Sequence, residues 1–487
     1  MTDTTTDTTT AVARLTPEVK ELSPRFTRLS DEIWDDPELR WEEHRSMARQ
    51  IEAAREFDAR ITEGVGGVPT AFMAEWGKRG PVVAFLGEYD ALANLSQAAN
   101  STVREADPAN TSGAGHGCGH NLLGAGSLLA AVVTARQLAA SGSEGIVRYY
   151  GCPAEEGAAG KSYMVAGGAF DGVDAAVTWH PMDAMSTNQI RTLAYTQAYF
   201  RFRGTASHAG AAPQHGRSAL DAAELMNVGV NFLREHMEDS DRIHYAFTDA
   251  GGTSANVVQP TAELYYVVRS ATVASMRTLV DRVKLIAEGA ALMTDTQVDF
   301  VFDGASAEVL PNRTLEETLH SHVVELGGVP FDDADQEYGR ILREGLPAGA
   351  AEAGQKRFGL GPDSPPLFDG VGPLIDPAHR PLMTGSTDVG DVSWTVPTVQ
   401  IIGGTHVVGT PAHSWQFVAQ GKSPAAHKGL IHAATAMAAT ATNLFEDAGL
   451  LESAKDEFNA IVAKTPYDCP IPEGAVPPPM RADYHPA

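Results

Sequence analysis

The chain has 487 residues, 43% of them apolar and 20% charged, with a formal net charge of −26. A chain of that length supports more than one domain, and the acidic balance argues against nucleic acid or an anionic membrane surface as a general partner. Its cysteines, Cys118, Cys152 and Cys469, are too few for a disulfide framework and suit a reducing compartment, so a cytoplasmic protein is expected.

The Thr/Asp-rich start has no signal-peptide pattern, and residues 1–15 are expected to be disordered. No apolar run is expected to be long enough to span a bilayer. Residues 17–57 read as helix with a break near Asp35-Asp36-Pro37. Residues 69–76 and 82–87 read as strands about a Lys78-Arg79-Gly80 turn. Residues 122–140, rich in Leu and Ala, read as a helix, and 146–152 and 174–179 as strands. Further on, 397–403 reads as a strand, and 424–445 as a helix capped by Ser423 with Pro424 at its first position. Short apolar strands alternating with helices predict an α/β sheet.

Residues 190–304 have a different rhythm. Strands are expected at 193–202, 242–248, 262–269 and 297–302, and helices at 218–236 and 275–293. That order, β-α-β-β-α-β, is ferredoxin-like. The expected division is therefore 16–190 with 306–487 as one domain and 191–305 as an inserted one. Residues 311–380 are Gly/Pro/Asp-rich without a clear pattern. The Pro-rich tail from Cys469 is expected to wrap the surface or to be mobile.

Chemistry concentrates at strand ends. Gly115-His116-Gly117-Cys118-Gly119-His120-Asn121 enters a helix, and Pro153-Ala154-Glu155-Glu156-Gly157 follows a strand. Thiolate, imidazole and carboxylate are ligands of a divalent transition metal. A second Glu beside a ligand Glu can act as proton acceptor for a metal-bound water. Glu88 and Asp90 follow the strand at 82–87, and His180 closes the one at 174–179. In open α/β sheets, ligands bind beyond the carboxyl ends of the strands. Adjacent carboxylates in an extended segment point opposite ways, and the spacing alone leaves open which of Glu155 and Glu156 meets the metal. Asp90 is either an orienting carboxylate for a metal-bound His or a helix N-cap. His116 is a further donor in the turn, and His413, in a small-residue loop, could close the site. His208, Asn256 and Arg269 fall in the inserted segment. His208 could reach a site by domain closure or across a dimer interface, and Arg269 could bind a substrate carboxylate in bidentate fashion.

In this order, Gly-Glu-Tyr-Asp-Ala-Leu (87–92), Gly-His-Gly-Cys-Gly-His-Asn (115–121), Pro-Ala-Glu-Glu-Gly (153–157), Thr-Trp-His-Pro (178–181), Ser-His-Ala-Gly (207–210) and Gly-Ser-Thr-Asp-Val-Gly-Asp (385–391) resemble the M20 family of metallopeptidases and amidohydrolases. The likeness runs from about residue 29 to 445. It is closest to the branch of aminobenzoyl-glutamate and amino-acid-conjugate hydrolases.

The resemblance implies a catalytic domain with a mixed central sheet flanked by helices, two divalent metal ions (zinc or manganese), and a ferredoxin-like lid that also dimerises. It implies Cys118, His120, Glu156, His180 and His413 as metal ligands, Glu155 as general acid/base, and Asp90 as the carboxylate orienting a ligand. His208 matches a lid histidine that reaches the partner's active site; Asn256 and Arg269 match substrate-contacting positions. The expected reaction is hydrolysis of the amide bond of small N-acyl (aroyl) amino acids, with neither nucleic acid nor membrane involved. The rivals are a related hydrolase of a non-peptide C–N bond and a subunit active only with a sister subunit. Asn121 replaces the usual Asp of the branch, and Glu88 stands where other branches carry a ligating His.

Overall fold

Seven buried positions in a row, Val82–Glu88, make the central strand of the molecule apolar on both faces. In this computed structural model, residues 10–478 are described. Helices α1 (Ala11–Trp34) and α2 (His44–Arg55) precede strands β1 (Arg60–Glu63), β2 (Phe72–Arg79) and β3 (Val82–Glu88). Next come α3 (His120–Ser141), β4 (Gly145–Cys152), α4 (Glu155–Ala158), α5 (Gly160–Ala166), β5 (Ala175–Met182) and β6 (Ser186–Thr187). The inserted segment contains β7 (Ala194–Arg203), α6 (Ala219–Leu233), β8 (Arg242–Asp249), β9 (Thr261–Ser270), α7 (Val273–Thr294) and β10 (Gln297–Ser306). The chain then forms α8 (Arg313–Leu326), α9 (Asp333–Glu344), α10 (Ala350–Arg357), α11 (Val389–Ser393), β11 (Thr398–Gly404), α12 (Trp415–Gln420), α13 (Pro424–Glu446) and α14 (Ala448–Val462).

The large sheet is mixed, in the order β1-β2-β4-β3-β5-β11-β6. Strand β3 runs parallel to β4 and β5, and β11 parallel to β5, while β1, β2 and β6 pair antiparallel. Val83 and Phe85 face a core built with α1, α3 and α13, whereas Val82, Ala84 and Leu86 face Tyr163 and Met164 of α5 and Val392 of α11. Gly124 and Gly126 let α3 lie close on the sheet. A Cβ at Gly124 would sit 2.6 Å from the Glu88 carbonyl oxygen, and one at Gly126 2.9 Å from the Trp179 ring. The smaller sheet is antiparallel, in the order β10-β7-β9-β8, with α6 and α7 packed on one face: the expected ferredoxin-like unit.

Several expectations are corrected. Thr10 caps α1, so residues 11–15 are helix, and residues 1–9 lie outside the described chain. Pro17 and Pro24 sit inside α1. Burial of Leu15, Val19, Phe26, Leu29 and Ile33 on one side outweighs the roughly 3 kcal/mol that an interior proline costs. Residues 17–57 form two helices, and β1, β6 and α14 were not anticipated. The segment 311–380 holds α8, α9 and α10; Asn312 caps α8, and a reciprocal Asp332–Asp335 box opens α9. For the tail, the first of the two expected alternatives holds over the described part: Cys469, Ile471 and Ala475 pack on the core beneath the sheet, and residues 479–487 lie outside the described chain. Contrary to the expectation about membrane spans, α3 is long and apolar enough to cross a bilayer by length and composition. Its burial between the sheet and α1 and α13 is that of a core helix.

Candidate metal centre

Three strand ends and two loops converge beyond the carboxyl edge of the large sheet. β3 delivers Glu88 and, just past its end, Asp90; β4 leads into Glu155 and Glu156; β5 carries His180. His120 opens α3 immediately after Gly119, whose φ of +76° turns the chain so that Cys118 and His120 face the same space. The loop after β11 brings in His413, whose own N–H is anchored on the Gly117 carbonyl at 2.9 Å.

The donors form two sets that share a sulfur. Ligand atoms of Cys118, His120 and His180 lie within 4.8 Å of one another, as do those of Cys118, Glu156 and His413. Cys118 Sγ is 3.5 Å from His180 Nε2, and His413 Nε2 is 3.2 Å from Glu156 Oε2. A third set, Glu88, His120 and Glu155, meets the same limit.

The second nitrogen of both His120 and His180 is already engaged. His120 Nδ1 lies 2.8 Å from Asp90 Oδ1, and His180 Nδ1 lies 2.9 Å from the Pro181 carbonyl. Protonating both Nδ1 atoms to make these bonds turns both Nε2 lone pairs into the cluster, the arrangement of metal-binding histidines. His120 Nε2 and Glu88 Oε2 are buried without a hydrogen-bond partner, although they lie 3.1 Å apart. Orphaned buried atoms with this chemistry fit a divalent cation.

Electrostatics agree with a site built for positive charge. Burial opposes ionisation of the Cys118 thiol, yet His180, His120 and His413 hold it well below the ordinary thiol range. Burial also works against a charged His120, but Asp90 and Glu88 hold its imidazole well above the usual value. His413 is pushed up to about 11 by its bonds to Cys118 and Glu156. Protons and a metal ion compete for these same lone pairs. Burial, then the Cys118 charge, raises Glu156 to about 7. Glu155 is held well above the carboxylate range by burial and by Glu88, Glu156 and Asp388.

Glu155 and Glu156 take different places, which spacing left open. Glu156 belongs with Cys118 and His413; Glu155 Oε2 lies 3.8 Å from His120 Nε2, beside Glu88. Ala154, at φ +56°, makes this turn, and its N–H is held by Glu43 Oε1 at 2.9 Å. Asp90 accepts from His120 Nδ1 and, through Oδ2, from the Glu156 N–H at 2.8 Å, so it ties a ligand histidine to the acidic turn. His116 stands apart: it bonds the Ile33 carbonyl at 3.2 Å, and burial drops it to about 4. Asn121 Nδ2 donates to Ser30 Oγ at 2.9 Å and Gly421 O at 3.1 Å, fastening α3 to α1.

The residues of the smaller sheet are elsewhere. His208 and Asn256 are exposed on paired loops, with Asn256 O accepting from the Ala209 N–H at 2.9 Å. Among the described residues neither bonds to the cluster. His208 Nδ1 accepts from the N–H groups of Gly210 (3.2 Å) and Ala211 (3.1 Å), so a neutral ring carries its proton on the outward Nε2. Arg269 does approach: its Nη1 donates to Ser386 Oγ at 2.7 Å, two residues from Asp388.

Sequence reasoning missed the cation beneath the site. Lys161 is fully buried, with Nζ 2.5 Å from Glu88 Oε1 and 2.8 Å from Asp388 Oδ1, and its N–H also donates to Asp388. The visible signal was a lysine between Gly160 and Ser162-Tyr163-Met164, on a helix that is otherwise small or apolar at its start.

Fold and site together define a hydrolase class with a candidate metal centre at the strand ends. A sequence model of peptidase family M20/M25/M40 matches residues 84–334. One of the subunits of the p-aminobenzoyl-glutamate hydrolase of Escherichia coli strain K12 is 43% identical over 470 residues, 94% of this chain and 96% of that one. The Xaa-Arg dipeptidase of Mus musculus is 29% identical over 455 residues, 90% of each chain. Among solved structures, a dinuclear metal-binding M20 peptidase of Bacillus subtilis superposes with a TM-score of 0.54 at 18% identity, covering 88% of this chain and 99% of that one. The chain belongs to peptidase family M20/M25/M40, and it is an enzyme of the amide-hydrolysing kind.

Proposed function

We propose that this enzyme hydrolyses the amide bond of small N-acyl or N-aroyl amino acids, of the aminobenzoyl-glutamate kind, at a two-metal site. The observation that carries the reading is the pair of donor sets sharing Cys118, with Glu155 standing beside His120. Cys118, His120 and His180 would hold one ion, and Cys118, Glu156 and His413 the other. The donor set, with sulfur and imidazole nitrogen, suits zinc, and manganese is the alternative. When bound, the ions supply an acidified water and a Lewis acid for the carbonyl.

The residues of the chain do the rest. Glu155 takes the proton of the attacking water and passes it to the leaving amine. Asp90 holds His120 in the tautomer that points Nε2 inward. His208, with its Nε2–H free, donates to the developing oxyanion from the partner's lid. In this reading 16–190 with 306–487 form the catalytic domain, 191–305 form the lid, and Asn256 and Arg269 contact substrate. A lid-mediated homodimer is supported by exposed apolar side chains on α6 and α7, with Phe232 71% and Leu292 83% exposed. A cytoplasmic setting fits the cysteine usage.

Glu155→Gln tests the assignment. Turnover of an aroyl-glutamate should fall by about 10²- to 10⁴-fold with metal content unchanged; turnover within a few-fold of the parent rejects it. One observation favours a second reading. The Escherichia coli relative is one subunit of a hydrolase, so a sister subunit could complete the site. Assaying the purified chain alone and then with such a subunit separates the two.

A further inference from the structure

We propose that Arg242 and His244, together with Arg269, form a dicarboxylate subsite on the open face of the small sheet, selecting N-acyl amino acids whose side chain carries a second carboxylate. The proposal rests on the amide-hydrolase reading and adds residues that recognise the amine half of the substrate. Arg269 takes the α-carboxylate; Arg242 and His244 take the one on the side chain.

Strand register places the three together. Arg242 of β8 lies directly opposite Arg269 of β9, and His244 lies opposite Val267. Ile243 and Val268 are buried against α6 and α7, so Arg242, His244 and Arg269 project from the other face. Like charges directly opposite each other destabilise an antiparallel pair. Here they persist without compensation: among the described residues, Arg242, Arg269 and neighbouring Arg234 have no carboxylate within ion-pair range. Arg242 Nη1 bonds only the carbonyls of Asp239 (2.6 Å) and Asp241 (2.7 Å). Arg269 bonds Ser386 Oγ, and Arg234 Nη2 the Ile243 carbonyl at 2.7 Å. With 62 acidic against 36 basic residues in the chain, a carboxylate is the easiest partner to supply, and none is supplied here. Burial and the charges of Arg269, Arg234 and Arg242 together hold His244 below the usual imidazole value, so all three cations act on one spot.

The cluster is continuous with the metal centre. The Arg269 guanidinium lies 5.4 Å from the centroid of Tyr195, its cross-strand neighbour on β7. Tyr195 in turn is raised by burial and by the charges of Asp388 and Glu155. Arg269 also donates through Nη1 to Ser386 Oγ at 2.7 Å, on the loop that carries Asp388 to Lys161 beneath the metal centre, and Arg242 lies one strand further out. That step is about 4.8 Å at the backbone, of the same order as the span between the two carboxylates of an extended dicarboxylic amino acid. A chain of net charge −26 repels such a dianion at long range, and a local group of arginines reverses the sign where the ligand docks.

The test compares aroyl-glutamate with aroyl-alanine, using the full metal-loaded chain and its Arg242→Gln, His244→Ala and Arg242→Lys variants. Arg242→Gln should lower the glutamyl-to-alanyl ratio of kcat/KM by about 10- to 100-fold, mostly through KM, with partial recovery in Arg242→Lys. An unchanged ratio overturns the proposal. Calorimetric titration of Glu155→Gln with L-glutamate and with glutarate supplies an arm that needs no turnover. Binding that weakens on adding Arg242→Gln supports the subsite even if the amidase reading fails. Binding indifferent to that change, or absent from the start, overturns the subsite even if amidase activity is found.

Discussion

Lys161→Met removes the cation that two buried carboxylates share. Lys161, Glu88 and Asp388 are each at most 1% exposed at the side chain, and the Nζ contacts are 2.5 and 2.8 Å. Burial disfavours a charged lysine, but Asp388 and Glu88 hold Lys161 well above its ordinary value, so it is a cation at any working pH. Breaking a buried ion pair by deleting one partner costs about 3–5 kcal/mol, because the remaining charge stays uncompensated. Unfolding entropy scales to about 1 kcal/mol per kelvin for a chain of this length, so a loss of about 3–5 °C in Tm is expected. Scanning calorimetry of the metal-loaded protein reads it. The double variant Lys161→Met with Glu88→Gln should regain more than half of the loss, since it leaves only Asp388, which keeps the Lys161 backbone N–H at 2.8 Å. A single variant with the parent's Tm, or a double variant no better than the single, refutes the argument.

Asp90→Asn should weaken metal binding about 10- to 100-fold, as measured by competition with a chelator, because the amide no longer orients His120 as the carboxylate does. Adding a divalent ion at 100 times its Kd should stabilise the parent by about 2.7 kcal/mol; a Tm that ignores metal contradicts the proposed centre. Asp391 is raised from 3.8 to about 7 by burial, against the hydrogen bonds of Ser162 and Tyr467. The folded state therefore keeps a proton that the unfolded chain has released. Its contribution is greatest below pH 3.8 and is lost as pH rises through 7, about 4 kcal/mol in all at 1.36 kcal/mol per pH unit. Asp391→Asn should flatten urea-denaturation stability between pH 5 and 8; parallel profiles would dismiss the assignment. Gly160→Ala places a Cβ 1.9 Å from the Pro153 carbonyl oxygen. It should distort the Glu155–Lys161 turn, lowering both Tm and turnover.

Much of the fold was readable locally because strand and helix periods are short-range. The strands at 82–88 and 145–152, the βαββαβ order of the insertion and the helix at 424–446 needed only apolar rhythm, caps and turns. The N-terminal boundary failed at Pro17, where packing of a buried face overrode a local rule. Residues 311–380 failed because Gly, Pro and Asp dilute the helical pattern, although the Asp332–Asp335 box was present to be read.

The donor chemistry is written locally: a thiol, three imidazoles and paired carboxylates, set at the carboxyl ends of strands where side chains can converge. Tertiary structure alone decided the division of labour. It put Glu156 with Cys118 and His413 and Glu155 beside His120, left His208 and Asn256 exposed, and brought Lys161 to Asp388 across 227 residues of chain. The reason is range. Backbone periodicity is written in neighbouring residues, whereas pairing of buried charges depends on which distant loops the sheet order brings to one edge.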